Sequence, residues 1–112
     1  MENVENDKYK FFDKTADAKF QAFGFTLDEA FKNAQEAMVS VMYSLDEITD
    51  TEFDIEKREI IVEGANLEAL LYNFLEETIF LMNAELFVGL VDKIQILHKE
   101  DVYKLKAILH GT

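Results

Sequence analysis

The chain has 112 residues, of which 49% are hydrophobic and 12% aromatic, enough apolar surface for one folded domain with a buried core. Lys and Arg number 11 against 23 Asp and Glu, a formal net charge of −12. A surface of that sign repels free nucleic acid and anionic membranes, and a basic protein surface is the favoured macromolecular partner. The absence of Cys excludes disulfides, thiolate zinc sites and cysteine nucleophiles.

The N-terminal residues MENVENDKYK lack the apolar stretch of a secretory signal, and the longest nearly apolar run, LFVGLV, is too short to span a bilayer. We therefore expect a cytoplasmic protein with no membrane partner. Residues 1–8 are expected to be flexible, and residues 9–112 to form a single domain.

Two short strands are predicted first. One begins at Tyr9, a break falls near Lys14 to Ala16, and a second strand follows as AKFQAFG. In this second strand every other residue from Ala18 is apolar, which is typical of a strand with one buried face. Gly24 is expected to end it.

A capping-box pattern, Thr26 with Glu29 three residues later, predicts a helix that has Thr26 as its N-cap and runs to about Ser44. Apolar residues at spacings of three and four predict one face on the core. These residues are Leu27, Ala30, Phe31, Ala34, Ala37, Met38, Val41, Met42 and Leu45.

The segment FDIEKREIIVEG predicts a strand that Gly64 ends, and Asn66 is the expected N-cap of a second helix. Its broad apolar stripe predicts the more central of the two helices. The stripe comprises Leu67, Leu70, Leu71, Phe74, Leu75, Thr78, Leu81 and Met82, widened by Ile79 and Phe80.

The last segment predicts a hairpin that turns at KED, with Ile94 and Ile96 facing Tyr103, Leu105 and Ala107. The order is therefore two short strands, helix, strand, helix and hairpin. This order predicts an α+β fold with two helices packed on a largely antiparallel sheet.

The chain offers little for catalysis. A nucleophilic Ser needs a neighbouring base, and Ser40 and Ser44 fall among the packing residues of the first helix. His98 and His110 are expected at opposite ends of the hairpin, too far apart to act together or to bind one metal ion. We expect the carboxylates of Glu76 and Glu77 to be ordinary solvent-exposed charges, and the same holds for Glu47, Asp50 and Glu52. We expect no enzyme, and an independent hydrolase is the least favoured reading.

Asp13 and Asp17 differ from the other carboxylates because both lie at the break between the first two strands. A turn there can aim carbonyl and carboxylate oxygens at one point, which suits Ca²⁺ or Mg²⁺. Asp side chains also form turns by accepting hydrogen bonds from nearby backbone N–H groups. Spacing alone leaves both roles open.

The stretch FFDKTADAKFQAFGFTLDEAFKNAQEAMVSVM resembles the opening of the archease family. Typical members begin with an aromatic strand, a His-Thr-Ala-Asp motif, an alternating strand ending in Gly, and an amphipathic helix. The segments REIIVEGANLEALLYNFLEETIFLMNAE and YKLKAILHG are similar to later family elements. The resemblance covers about residues 9 to 111, and it implies that residues 9–112 form an archease-like domain.

This resemblance implies a non-enzymatic protein cofactor that activates the GTP-dependent tRNA-splicing RNA ligase by promoting its guanylylation and multiple turnover. It also implies that Asp17, the Asp of the Thr-Ala-Asp motif, is a ligand of a divalent cation, which in the family is usually calcium. Asp13 lies outside that motif and is expected to be a turn residue. No direct nucleic-acid binding is expected.

Two departures from the family pattern bear on the cation. Lys14 occupies the usual His position, and the family's C-terminal strands, whose last residues supply a further carboxylate, are expected to be missing. Cation binding is therefore expected to be weak or lost. An exposed sheet edge is in turn expected to favour a homo-oligomer. The alternative function is a chaperone-like protein-binding module that keeps the fold but does not activate the ligase.

Overall fold

A computed structural model describes residues 8–12, 19–43 and 56–111. In chain order its elements are β1 (Tyr9–Phe12), β2 (Lys19–Ala22), α1 (Leu27–Met42), β3 (Glu56–Gly64), α2 (Leu67–Ala84), β4 (Gly89–Lys99) and β5 (Val102–Gly111). This order confirms the predicted α+β class. Within the described ranges no helix is long and apolar enough to cross a membrane.

The strands form two antiparallel sheets. β1 pairs with β2, and the larger sheet has the order β3-β5-β4. The hairpin register is confirmed, because Ile94 pairs with Ala107 and Ile96 with Leu105. The last strand, β5, is therefore central, and the edges of the three-stranded sheet, as far as it is described, are β3 and β4. Self-association through such an edge stays a prediction.

Helix α1 begins as predicted. The Thr26 side chain accepts a hydrogen bond from the Glu29 N–H at 3.1 Å, and the helix ends at Met42, close to the expected Ser44. Its burial differs from the predicted stripe. Val41 and Met42 are 49% and 54% exposed, and Val39 is fully buried. The reason is that α1 contacts both β4 and the β1–β2 hairpin, so that more than one face is covered.

Helix α1 also lies along the outer edge of β4. The Asp28 carboxylate Oδ1 accepts a hydrogen bond from the Ile96 N–H at 3.1 Å. Two turns later, the Gln35 Nε2 donates to the Gly89 carbonyl at 2.9 Å. These side chains bond backbone groups that β5 does not pair, and covering an edge in this way prevents unwanted strand pairing.

Helix α2 is capped by Asn66, as predicted, because the Asn66 Oδ1 accepts from the Ala69 N–H at 2.8 Å. Its buried residues Leu70, Phe74 and Leu81 face the inner side of the sheet and form the main core. The expectation that Phe80 widens this face is wrong, since Phe80 is 52% exposed. The sheet is covered by the narrower arc around Phe74, which leaves Phe80 on the solvent side.

The C-terminal end of α2 is fixed to β3 by Arg58. The Arg58 Nε donates to the Glu85 Oε1 at 2.8 Å, and its guanidinium lies 4.8 Å from the centre of the Phe87 ring. The hydrogen bond to Glu85 raises the pKa of Arg58 above its ordinary value. Nearer the other end of α2, the Asn73 Nδ2 donates to the Glu63 carbonyl of β3 at 2.8 Å, so the helix is fixed to β3 at two points along its length.

The strand predicted from Phe53 is observed from Glu56, and Phe53 and Ile55 lie outside the described residues. Its apolar run occupies both faces of the sheet. Ile60 is 1% exposed and belongs to the core, whereas Ile61 is 52% exposed on the opposite face. Gly64 ends β3, as predicted.

Candidate functional site

The candidate cation site lies at the connection between β1 and β2. Phe12 and Lys19 are register partners, so the end of β1 and the start of β2 lie one strand spacing apart, about 5 Å. The predicted break near Lys14 to Ala16 lies outside the described residues. Asp13 and Asp17 themselves lie outside the described residues, and the assignment of Asp17 as a cation ligand stays a prediction.

No cluster of three or more His, Asp or Glu side chains arranged to hold a metal ion is found in residues 8–12, 19–43 and 56–111. Glu47, Asp50 and Glu52 lie outside these ranges.

The two histidines have separate surroundings, as the hairpin prediction required. His98 stacks on Tyr103 with ring centres 4.0 Å apart and an interplanar angle of 5°. His110 lies near the other end of the hairpin, with its Nε2 3.4 Å from the Asp92 Oδ2. His98 is paired with Tyr103 and His110 with Leu90, at opposite ends of the β4–β5 ladder. The two histidines therefore do not form a common site.

The Ser40 hydroxyl forms a hydrogen bond within its own helix, α1. Its Oγ donates to the Ala37 carbonyl at 2.7 Å, a local bond common for Ser in helices. Ser44 lies outside the described residues. Neither His98 nor His110 is a partner of Ser40 in this structure, so the elements of nucleophilic catalysis are not brought together there.

The solvent-facing side of α2 carries a second candidate surface. Glu68, Tyr72, Glu76 and Phe80 recur at intervals of four residues, and we call them the α2 stripe. Tyr72 is 66% exposed and Phe80 52%. A hydrogen bond to the Glu76 carboxylate raises the pKa of Tyr72 above its ordinary value. Glu76 is exposed as predicted, but sequence reasoning treated it as solvation and placed Phe80 in the core. The four-residue spacing was the signal that could have found the stripe.

The outer face of the three-stranded sheet has a different character. Lys104 lies between Glu63 and Leu97 in one rung, and Lys106 lies between Ile61 and Gln95 in the next. Lys57 and Lys93 lie on the same face, all four lysines being exposed. Positive side chains are thus gathered on the sheet, whereas α2 contains Glu68, Glu76 and Glu77 and no Lys or Arg.

Comparison with protein families gives one assignment over nearly the whole chain. Residues 9–112 match the family model described as Archease protein family. The described β1, which begins at Tyr9, coincides with the start of this match.

Curated relatives give the same result. The chain is 36% identical over 103 residues to "Protein archease" of Pyrobaculum islandicum, covering 92% of this chain and 67% of the relative. It is 35% identical over 104 residues to "Protein archease" of Pyrococcus abyssi, covering 93% of this chain and 70% of the relative. A vertebrate relative, "Protein archease" of Danio rerio, is 32% identical over 105 residues, and the chain spans 62% of its length.

A solved structure has the same fold. The solution structure of Methanobacterium thermoautotrophicum protein 1598 matches with a TM-score of 0.80 and 32% sequence identity, covering 95% of this chain and 73% of the solved one. The two helices and the antiparallel sheet described above are therefore the fold of a known relative.

Proposed function

The chain belongs to the archease family, and we propose that it is a non-enzymatic cofactor of the GTP-dependent tRNA-splicing RNA ligase. In this role it promotes guanylylation of the ligase and allows multiple turnover. The observation that carries the proposal is the family match over residues 9–112. The TM-score of 0.80 to a relative's structure supports it, since the fold agrees as well as the sequence.

The surface chemistry is consistent with action on a protein partner. A net charge of −12 disfavours direct contact with tRNA and favours a basic partner, and an enzyme that handles RNA must carry such a basic surface. Under the proposal the cofactor acts in the cytoplasm, on the ligase and not on the RNA.

We further propose that Asp17 is a ligand of a divalent cation, most suitably Ca²⁺. Residues 13–18 join two paired strands, and a short connection of this kind can present several oxygens to a hard cation. Ca²⁺ takes about six to eight oxygen ligands. A site in which Asp17 is the assigned carboxylate is therefore expected to bind weakly.

The proposed function is tested with the ligase of the same organism. Ligase guanylylation and multiple-turnover ligation are measured with and without the full chain, at equal ligase concentration. Acceleration of both is expected. A ligase that turns over equally well without the chain contradicts the proposal, and stable binding without acceleration favours the chaperone-like module instead.

The role of Asp17 is tested by Asp17→Asn, with Asp13→Asn as the matched control in the same connection. If Asp17 is a ligand, its variant loses calcium binding by calorimetry and loses ligase stimulation, with little change in melting temperature, because Asn keeps the shape and most turn hydrogen bonds. The control keeps both activities. A lowered melting temperature with unchanged stimulation and no calcium heat in any form would remove the cation assignment.

A further inference from the structure

The α2 stripe lies opposite the core-facing side of its helix. Residues four apart advance about 6 Å along a helix axis, so Glu68 to Phe80 spans about 18 Å. The buried residues Leu70, Phe74 and Thr78 occupy the other side. The exposed aromatic rings of Tyr72 and Phe80 therefore contribute nothing to the main core cluster.

Exposed aromatic side chains on an ordered helix are typical anchors of protein interfaces, where a few Tyr, Trp and Arg residues provide most of the binding energy. The helix that presents them is held against β3 by the Asn73–Glu63 hydrogen bond and by the Arg58–Glu85 pair. A rigid surface loses little conformational entropy when it binds. Leu86, two residues past the end of the helix, is also 81% exposed.

The charge of the stripe identifies the kind of partner. Tyr72 and Phe80 alternate with Glu68 and Glu76, and α2 carries no basic residue. A second copy of this helix would set carboxylates against carboxylates, and nucleic acid would be repelled. The lysines of β3, β4 and β5 lie on the outer face of the sheet instead. A basic protein surface is the complementary occupant.

We propose that the α2 stripe is a docking surface for a basic protein surface with apolar clefts that accept the rings of Tyr72 and Phe80. The identity of the partner rests on the proposed function, under which it is the RNA ligase. Glu68 and Glu76 orient the encounter, and the two aromatic rings provide the affinity.

Binding of the full chain to the ligase is measured by calorimetry and by surface kinetics at several salt concentrations. The paired variant Tyr72→Ala with Phe80→Ala is expected to weaken binding at least about 30-fold, since anchor residues each contribute about fivefold or more. Glu68→Gln with Glu76→Gln is expected to slow association and to flatten its salt dependence. The matched control is Ile61→Ala with Leu97→Ala, two residues of similar exposure, 52% and 55%, on the outer sheet face.

The possible outcomes separate the two proposals. If the wild-type chain does not bind the ligase, the proposed function fails and its partner assignment with it. If the wild type binds and the stripe variants bind equally well, or the sheet control is the weakened one, only the docking surface is overturned. Sedimentation that shows a wild-type dimer and monomeric stripe variants would replace the basic partner with a second copy. Circular dichroism confirms that each variant is folded.

Discussion

At the scale of single residues, Gln35 was absent from the predicted core because its side chain is polar. In the structure it is fully buried, its Nε2 donates to the Gly89 carbonyl, and its Oε1 is buried with no hydrogen-bond partner among the described residues. Burying an unpaired amide oxygen is unfavourable. Periodicity does not detect such a residue, because its place depends on a carbonyl 54 positions away along the chain.

We predict that Gln35→Ala lowers the free energy of unfolding by about 2 to 4 kcal/mol, since it leaves a cavity and an unpaired carbonyl. Gln35→Met keeps the volume and removes the unpaired oxygen, so its cost should be smaller, about 1 kcal/mol. Urea denaturation measures both. Lys32→Ala, an exposed position of the same helix, serves as the control with an expected change within about 0.5 kcal/mol. Equal losses for the Ala and Met variants would contradict this account.

The turn between β4 and β5 is a second residue-scale feature. Glu100 and Asp101 have φ angles of 52° and 62°, which a two-residue hairpin turn of this hand requires and which Asn-Gly adopts most readily. We predict that Glu100→Asn with Asp101→Gly raises the free energy of unfolding by about 1 kcal/mol. The reason is that Asn and Gly adopt a positive φ with less strain than Glu and Asp. Thermal unfolding measures the change. Asp101→Val should be destabilising, and a more stable Val variant would refute the argument from φ.

At the scale of elements, the two connections from strand to helix have the same construction. GFTL begins two residues after the end of β2, and GANL begins at the last residue of β3; in each, a Gly is followed two residues later by the N-cap. A Cβ on Gly24 would lie 2.5 Å from the Ala30 nitrogen, and one on Gly64 would lie 2.5 Å from the Leu70 nitrogen. The strand end thus lies directly against the first turn of the helix, where only glycine fits.

We predict that Gly64→Ala lowers the free energy of unfolding by about 2 kcal/mol or more, because the obstructing atoms belong to the helix backbone and have little freedom to move. Gly24→Ala should have a similar effect. Guanidinium denaturation with Ala65→Ser as the exposed neighbouring control provides the measurement. A Gly64→Ala protein as stable as this control would show that the helix can shift outward at no cost.

Elements with a local signature were predictable from the sequence. The caps Thr26 and Asn66, the glycine that ends β3 and the hairpin register each depend on residues close together in the chain. The burial pattern of α1 was not predictable from the sequence, because it is set by contacts with two separate sheets. Phe80 was misplaced because an apolar residue beside the core stripe of a helix is expected to be buried, whereas its exposure depends on how much of α2 the sheet covers. The role of Asp17 stays a prediction.

At the scale of the whole molecule, a net charge of −12 means that negative side chains repel one another. This repulsion is stronger in the compact folded state than in the unfolded chain. Salt screens this repulsion, since the screening length falls from about 30 Å at 0.01 M to about 10 Å at 0.1 M. We predict that the melting temperature rises by about 4 °C or more between these concentrations of sodium chloride. Glu76→Gln with Glu77→Gln removes two negative charges and should reduce the increase. A melting temperature that falls with added salt would contradict the prediction.

The contact between α1 and the edge of β4 has a consequence for hydrogen exchange. An outward-facing amide of an edge strand normally exchanges quickly with solvent, but the Ile96 N–H is bonded to the Asp28 carboxylate. Its exchange in heavy water should be slowed roughly tenfold relative to an unbonded edge amide, and Asp28→Ala should restore fast exchange at Ile96 while the amides between β4 and β5 keep their rates. One amide signal thus reports how often the first helix lifts from the sheet while the sheet itself stays folded.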